Sequence, residues 1–154
     1  SHTLMPADDA SALAKIDQLL DDLNAFRDDA HLAAFAPHEI SGHGWELFSF
    51  LWRGDAANAA EMAEKAGFRG HDEAAYAAAL DDLVTRGWVE ANGDRYVLTT
   101  AGKEIREAAE TQTDRYFYLP WTTLSLTETE ELRTLMTGLN EQLAKMAEET
   151  AVPA

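Results

Sequence analysis

Histidines and glutamates gather in one short stretch of the sequence, where they could form a metal site. His31, His38 and His43 fall within thirteen residues, with Glu39 between them and Glu46 three residues further on. On a helix, Glu39, His43 and Glu46 would stand at i, i+4 and i+7, so a carboxylate–histidine site is geometrically possible. There is no HExxH motif or other tight ligand spacing, and His43 between two glycines is equally a small polar packing group. We therefore predict no bound metal and no cofactor.

Paired aspartates raise the question of acid–base catalysis. Catalytic carboxylate pairs need two different environments, usually with one member in an apolar cleft. Adjacent aspartates on exposed helix faces are more simply a solvated surface. The chain has no cysteine, and it shows no Ser-His-Asp arrangement and no phosphate-binding glycine loop. We therefore predict that the protein is not an enzyme. The doublets are Asp8-Asp9, Asp21-Asp22, Asp28-Asp29 and Asp81-Asp82.

Large aromatic residues are concentrated in two places, which could together form a pocket. If the helices that carry the two sets pack on each other, their rings meet at one junction. Ordinary core is the alternative, because aromatic side chains dominate cores generally. A pocket there would take a small apolar ligand. Its predicted lining residues are Trp45, Phe48, Trp52, Tyr116, Phe117 and Trp121.

The elements that must position these residues are mostly helices. Residues 7–26 repeat apolar side chains at three- and four-residue steps, which predicts an amphipathic helix. The run Arg27-Asp28-Asp29 breaks this pattern, and Pro37 suits the first turn of a second, buried helix that continues through Trp52. In that helix, Gly42 and Gly44 suggest the close approach of another backbone. A short helix over 58–66 ends at Gly67 as a C-cap, and a helix over 73–86 ends at Gly87.

A hairpin and two further helices complete the chain. Short strand patterns at 88–90 and 95–98 flank Asn92-Gly93, a strong signal for a two-residue hairpin turn. Thr100 is predicted to cap a helix over 101–116. The last helix covers 127–149, and we expect the capping box Thr127-Glu128-Thr129-Glu130 to open it.

This order of elements is that of a winged helix-turn-helix domain. Residues 80–89 (LDDLVTRGWV) resemble the end of a recognition helix and the first wing strand of MarR-like and PadR-like regulators. Residues 96–102 (YVLTTAG) resemble their exit from the wing. The stretch from Glu110 to Trp121 also resembles uncharacterised bacterial helix-turn-helix-like proteins. The resemblance covers about residues 38–110 and implies a mainly α fold with one small hairpin and flanking N- and C-terminal helices.

The resemblance further implies that helix 73–86 enters the major groove of DNA and that the hairpin tip touches the minor groove. Regulators of this class often bind small apolar or aromatic effectors beside the winged domain. The side chains available for DNA contact are Lys65, Arg69, Arg86, Asn92 and Arg95. The outward positions of the helix, however, are alanines and acids: Glu73, Ala74, Ala77, Ala78, Asp81 and Asp82.

Charge opposes tight binding to DNA. Twelve Lys and Arg against 28 Asp and Glu give a net charge of −16, and the acidic excess extends along the whole chain. An evenly acidic surface repels phosphate backbones and anionic lipid. We therefore expect any DNA binding to be weak. A winged-helix module that binds a protein partner or a small apolar ligand instead of DNA remains the alternative.

The domain organisation and assembly follow from the same pattern. We predict an N-terminal helical extension over 3–37, a winged domain over 38–105 and a C-terminal helical region over 106–150. The first and last helices carry apolar stripes that the winged core is too small to cover, which predicts a homodimer. No apolar run is long enough to span a membrane, and no signal or transit peptide is visible, so we expect a cytoplasmic protein.

Overall fold

The computed structural model describes residues 6–150, which form six helices and one hairpin arranged in two compact units. Among these residues, the first unit ends at Phe117 and the second begins at Tyr118. Residues 3–5, where the predicted N-terminal extension begins, lie outside the described part of the chain. The predicted division at residues 37 and 105 stays a prediction, and its second boundary falls inside the fifth helix.

Helix α1 is longer than the sequence pattern predicts. It spans Ala12–Phe35 and begins at Ser11, whose hydroxyl accepts a hydrogen bond from the Ala14 amide. The predicted start at residue 7 is wrong, because residues 7–10 form a turn before the Ser11 cap. The predicted end at residue 26 is also wrong, because Arg27-Asp28-Asp29 is polar but fully compatible with a helix. The buried residues of α1 lie in this added part of the helix: they are Ala30 and Ala34.

Pro37 does not open the second helix, which corrects the prediction made for it. It lies in a short 3₁₀ turn, Ala36–His38, and Glu39 follows with a left-handed φ of 50°. Helix α2 spans Gly42–Arg53, and the side chain of Ser41 caps it by accepting from the Gly44 amide. A Cβ on Gly44 would meet Ser41 Oγ at 2.9 Å, whereas Gly42 has open space around it. Gly44 therefore accommodates the cap of its own helix, and neither glycine lies against another backbone as the sequence suggested.

Helices α3 (Ala59–Ala66) and α4 (Glu73–Thr85) form the helix-turn-helix. The side chains of Asn58 and Asp72 cap their first turns. Gly67 is the C-cap of α3, as predicted, although its φ of −57° is right-handed and it starts a 3₁₀ turn. The left-handed reversal comes at Gly70, with φ 80°. Gly87 ends α4 as predicted, with φ 72°.

The predicted hairpin is confirmed. Strand β1 (Val89–Asn92) pairs antiparallel with β2 (Arg95–Leu98), in a register that sets Val89 opposite Leu98 and Asn92 opposite Arg95. Gly93 supplies the positive φ of 68° that a tight hairpin turn requires.

Two helix caps differ from the predicted ones by one or two residues. Helix α5 spans Thr100–Tyr118, and its cap is Thr99, not Thr100, because Thr99 Oγ1 accepts from the Gly102 amide. In the second unit, helix α6 (Leu126–Thr150) opens with a capping box between Ser125 and Glu128, not at Thr127. In both cases the residue that caps lies just before the one chosen from the sequence.

The core of the first unit lies between α2, α3, α4 and the hairpin. Its largest fully buried side chains include Tyr76, Phe48, Leu47, Met62 and Leu83. This arrangement confirms the mainly α winged helix-turn-helix expected from the sequence. Among the described residues, no helix is long and apolar enough to cross a membrane.

Candidate nucleic-acid interface and interhelical cleft

The outer face of α4 carries small and acidic side chains. Asp72 fixes the start of the helix by accepting from the Ala75 amide at 2.9 Å. Tyr76, Ala79, Leu80 and Leu83 point into the core, which turns the opposite face outward. Of the six positions expected to face outward, Asp82 is only half-exposed and pairs with Arg86. The other five are exposed: Glu73, Ala74, Ala77, Ala78 and Asp81.

Arg86, a predicted DNA contact, is held by its own chain through every part of its guanidinium group. Its Nε donates to Asp82 at 2.8 Å, Nη1 donates to the His38 carbonyl at 2.8 Å, and Nη2 donates to the Glu39 carbonyl at 3.1 Å. The group also lies 5.2 Å from the Trp88 ring centre. Arg86 therefore joins the end of α4 to the turn between α1 and α2.

The other predicted cations also have partners within the chain, but looser ones. Lys65 donates to the main-chain carbonyl of Asp55, Arg69 lies 3.2 Å from Glu46, and Arg95 lies 3.5 Å from Glu61. All three side chains are exposed, and Asn92 is exposed at the hairpin tip. Surface ion pairs such as those of Arg69 and Arg95 contribute about 0–1 kcal/mol, and Lys65 bonds only an uncharged carbonyl, so phosphate could compete for all three cations.

Lys103 is a cation near the hairpin that sequence reasoning did not single out. It lies on the first turns of α5 and lines a groove of about 290 Å³ together with Arg95 and Trp52. No ion pair of Lys103 is found within residues 6–150. A single lysine on an amphipathic helix gives no signal by itself, so only the fold brings it beside the wing.

A cleft of about 770 Å³ opens between α1, α2 and α5 of the first unit. Of the six residues predicted to line a pocket, Trp45 and Trp52 do so. Phe48 lies instead in the core against Trp88, with ring centres 5.4 Å apart. Phe117 packs on Phe26 at 6.0 Å, and Tyr116 is exposed on α5. Trp121 belongs to the second unit.

Arg106 forms the floor of this cleft, and only 3% of the residue is exposed. Its Nε donates to Ser49 Oγ at 3.1 Å, and its Nη1 lies 2.6 Å from Glu110 Oε1. The guanidinium group also faces the rings of Trp45 and Trp52, at 5.2 and 4.8 Å from their centres. Burial lowers the pKa of Arg106, with the Glu110 carboxylate opposing that shift.

Glu110 is ionised despite its partial burial. Burial raises the pKa of this carboxyl group, but the hydrogen bond and charge of Arg106 outweigh that effect and hold the pKa below its usual value. Arg27 adds a second cation at 3.5 Å. From the sequence, Arg106 and Glu110 are an unremarkable i, i+4 pair on a polar helix, so their burial could not be read from spacing.

The cleft is cationic in an otherwise acidic protein. It collects half of the eight arginines of the chain against two carboxylates, and three histidines add to its lining. This lining therefore suits an anionic ligand better than the purely apolar one expected from the aromatic residues. The charged lining residues are Arg27, Arg53, Arg69, Arg106, Glu46 and Glu110, and the histidines are His31, His43 and His71.

The spacing that suggested a metal site is not realised in one helix. Because α2 begins at Gly42, Glu39 lies outside it, in the left-handed turn. Glu46 pairs with Arg69, and the ring of His43 lies 4.5 Å from that of His71. His38 lies apart from them, stacked on Trp45 at 5.8 Å. Within residues 6–150, no group of three His, Asp or Glu side chains could hold a metal ion.

The fold is similar to that of several solved regulators. A transcriptional regulator of Thermotoga maritima matches with a TM-score of 0.71 at 11% identity, over 86% of this chain and 96% of that one. MepR, a regulator of the Staphylococcus aureus efflux pump MepA, matches with a TM-score of 0.62 at 15% identity, over 83% and 98%. A MarR-family protein of Mycobacterium tuberculosis matches with a TM-score of 0.61 at 19% identity, over 84% of this chain and 97% of that one.

That Mycobacterium tuberculosis protein has also been solved with DNA and with p-aminosalicylic acid. No curated protein matches the chain in sequence. The model of a helix-turn-helix family matches residues 5–151, nearly the whole length. The chain therefore belongs to this helix-turn-helix family, with the winged-helix fold of MarR-like regulators.

Proposed function

We propose that the protein is a winged-helix transcriptional regulator that binds DNA weakly, with α4 as the element that faces the major groove. The observation that carries this proposal is the exposed face of α4, which lies next to the hairpin and carries Glu73 and Asp81 among alanines. The fold supports the DNA-facing role, and the solved complex of a MarR-family protein with DNA is consistent with it. Such a regulator acts without catalytic chemistry and in the cytoplasm.

Weak binding follows from the charges around that face. Alanine side chains offer no hydrogen bond to a base edge, and carboxylates repel phosphates. Arg86 is occupied by two carbonyl groups and Asp82, so it is not available for a phosphate. The cations near α4 and the hairpin that can move to a phosphate are Lys65, Arg69, Arg95 and Lys103. Binding through so few contacts is weak and sensitive to salt.

Fluorescence anisotropy with labelled genomic fragments at about 0.05 M salt tests this proposal, since charge is little screened there. We expect measurable binding in the micromolar range. If no binding is detected at this salt concentration, the proposal fails. The alternative function is then that of a winged-helix module that acts through a protein partner.

We also propose that the regulator is a homodimer. Helix α1 exposes Leu13, Leu19 and Phe26 at 54%, 53% and 39%, and α6 in the second unit exposes Leu126 and Leu135 at 91% and 63%. Apolar stripes of this size are characteristic of interfaces between proteins. Sedimentation at tens of micromolar should give a dimer, and the variant Leu19→Lys should shift it toward monomer. A wild-type monomer at that concentration would contradict the proposal.

The cleft favours a second role, the sensing of a small aromatic anion. Arg106 and the more exposed Trp52 would provide a charge and a ring face for one planar carboxylate, and the net charge of the lining is positive. The p-aminosalicylic acid complex of the Mycobacterium tuberculosis protein supports this ligand class.

Calorimetry with benzoate tests this second role. Uncharged benzamide, which has the same shape, should bind at least about tenfold more weakly, because the charge-assisted hydrogen bond is lost. Trp52→Leu should weaken benzoate binding, whereas Phe68→Leu, at a site that does not line the cleft, should not. Equal affinity for benzoate and benzamide would contradict the role of Arg106.

A further inference from the structure

His31 connects three helices through hydrogen bonds that define its protonation state. From α2, Trp45 Nε1 lies 2.9 Å from His31 Nε2. From α5, Thr113 Oγ1 lies 3.1 Å from His31 Nδ1 and also donates to the Ala109 carbonyl at 2.8 Å. His31 itself lies on the last turns of α1, beside the buried Ala30 and Ala34.

The partners of His31 allow only one arrangement of protons. An indole N–H can only donate, so Nε2 of His31 must be the acceptor and carries no proton. The hydroxyl proton of Thr113 is used on Ala109, so Thr113 Oγ1 accepts from His31, and Nδ1 carries the proton. His31 is therefore assigned as the neutral Nδ1–H tautomer, from its hydrogen-bond partners.

Protonation of His31 is incompatible with the contact to Trp45. A proton on Nε2 would place two N–H donors against each other at 2.9 Å, and Trp45 is only 3% exposed, so water cannot easily replace the lost acceptor. The cationic ring would instead be drawn to Glu110 Oε1, which lies 3.9 Å from Nδ1.

We propose that His31 is a proton-sensitive latch that holds the C-terminal part of α1 against α2 and α5 while neutral and releases Trp45 when protonated. The latch does not depend on DNA binding or on a ligand in the cleft. In this proposal, the protonation of His31 regulates how α1 packs against α2 and α5.

Charged groups from all three helices lie near His31. Arg27 and Asp28 face it from α1, and Arg106 and Glu110 face it from α5. From α2, Glu46, Arg53 and the titratable His43 line the same cleft, while Trp45 itself is uncharged. Burial lowers the pKa of His31, Arg106 lowers it further, and Glu110 opposes both.

The sign of the pH dependence follows from that lowered pKa. In the unfolded chain His31 takes up a proton near its ordinary pKa of about 6.5, whereas the folded chain takes it up only at lower pH. The folded state therefore binds fewer protons between these two values, and its stability falls as the pH decreases through this window.

NMR of the full ¹⁵N-labelled chain between pH 8 and pH 5 tests the latch. At pH 8, we expect His31 to carry its proton on Nδ1. As the pH falls, the Trp45 indole N–H resonance should move with the same midpoint as His31, below about 6.5. An Nε2–H tautomer at pH 8, or a Trp45 resonance that does not follow His31, would overturn the proposal. Both measurements use the unmodified chain, so they test the proposal even if substitutions unfold the protein.

Two variants separate the hydrogen bond from a general effect of nearby charge. His31→Gln should abolish the titration seen at Trp45. His38→Gln is the matched control, because His38 stacks on the same indole ring at 5.8 Å and does not take the Nε1 hydrogen bond. The Trp45 titration should persist in this control. Loss of the titration in His38→Gln, or its persistence in His31→Gln, would overturn the proposal.

Discussion

The guanidinium group of Arg86 donates a hydrogen bond of 2.8 Å to the main-chain carbonyl of His38, 48 residues earlier in the chain. The neighbouring carbonyl of Glu39 accepts a second bond at 3.1 Å, at the point where a left-handed residue turns the chain toward α2. A cation at the end of the proposed recognition helix thus stabilises the fold, although its position along the sequence is typical of a phosphate contact.

Replacing Arg86 should therefore weaken folding more than it weakens any direct contact with DNA. We expect Arg86→Ala to lower the free energy of unfolding by about 1–3 kcal/mol, because two carbonyls and Asp82 lose their partner. Urea denaturation measures this change. Arg95→Ala, which removes an exposed pair, is the control and should cost about 1 kcal/mol or less. Equal, small losses in both variants would contradict the structural role of Arg86.

Gly102 should tolerate no side chain. A Cβ at this position would lie 2.0 Å from the Trp88 carbonyl oxygen, so the start of α5 would have to move away from the hairpin. We expect Gly102→Ala to cost about 3 kcal/mol or more in unfolding free energy, as overpacking against backbone does at its upper end.

Gly67→Ala is the matched control for Gly102. Gly67 has open space around it and a negative φ of −57°, so alanine fits there and should leave stability unchanged or raise it by up to about 1 kcal/mol. Thermal or urea denaturation of both variants measures this difference in stability. A Gly102→Ala variant as stable as Gly67→Ala would show that α5 is not packed against Trp88 in this way.

The hydroxyl of Tyr76 is buried without a hydrogen-bond partner among the described residues. Burial raises the pKa of this phenol, and the charge of Glu46 raises it further. Because an unsatisfied buried hydroxyl is unfavourable, Tyr76→Phe should leave the unfolding free energy unchanged or raise it by about 1–2 kcal/mol. Tyr116→Phe, at an exposed site, should have almost no effect. A clear loss of stability in Tyr76→Phe would reveal a partner for that hydroxyl.

Periodicity and turn chemistry were sufficient to predict the order of the elements. The hairpin followed from Asn92-Gly93, and the end of α4 followed from Gly87, since both glycines adopt positive φ. The end of α1 was missed, because a polar run such as Arg27-Asp28-Asp29 interrupts an apolar stripe without breaking a helix. The caps at Ser41, Thr99 and Ser125 were missed by one or a few residues, because adjacent hydroxyl and glycine residues offer competing cap positions.

The candidate site was less predictable, because its residues act through contacts distant in sequence. The outward set of α4 could be predicted from helical spacing, and five of its six members are exposed. The roles of Arg86 and Arg106 depend on partners 48 and 57 residues away, His38 and Ser49, which no local pattern indicates. The same holds for His31, whose partner Thr113 lies 82 residues later.

Neutralising the outer face of α4 should strengthen DNA binding. Glu73→Gln combined with Asp81→Asn removes two exposed carboxylates from the face proposed to meet DNA. At about 0.05 M salt, we expect roughly tenfold tighter binding by fluorescence anisotropy, since two charges within about one Debye length of phosphates are removed.

Glu104→Gln combined with Glu107→Gln is the control for net charge. Both residues are exposed on α5, so this pair changes the charge of the protein by the same amount at a different surface. We expect it to change DNA affinity by no more than about twofold at the same salt concentration. Equal gains from both pairs would indicate that DNA responds to overall charge and not to α4.

A salt titration of binding to a pool of genomic fragments tests the central claim most directly. With only Lys65, Arg69, Arg95 and Lys103 as movable cations, we expect micromolar binding near 0.05 M salt that is lost by about 0.15 M, and little preference among sequences. Nanomolar, sequence-selective binding that persists near 0.15 M salt, where charge is screened over about 8 Å, would contradict it.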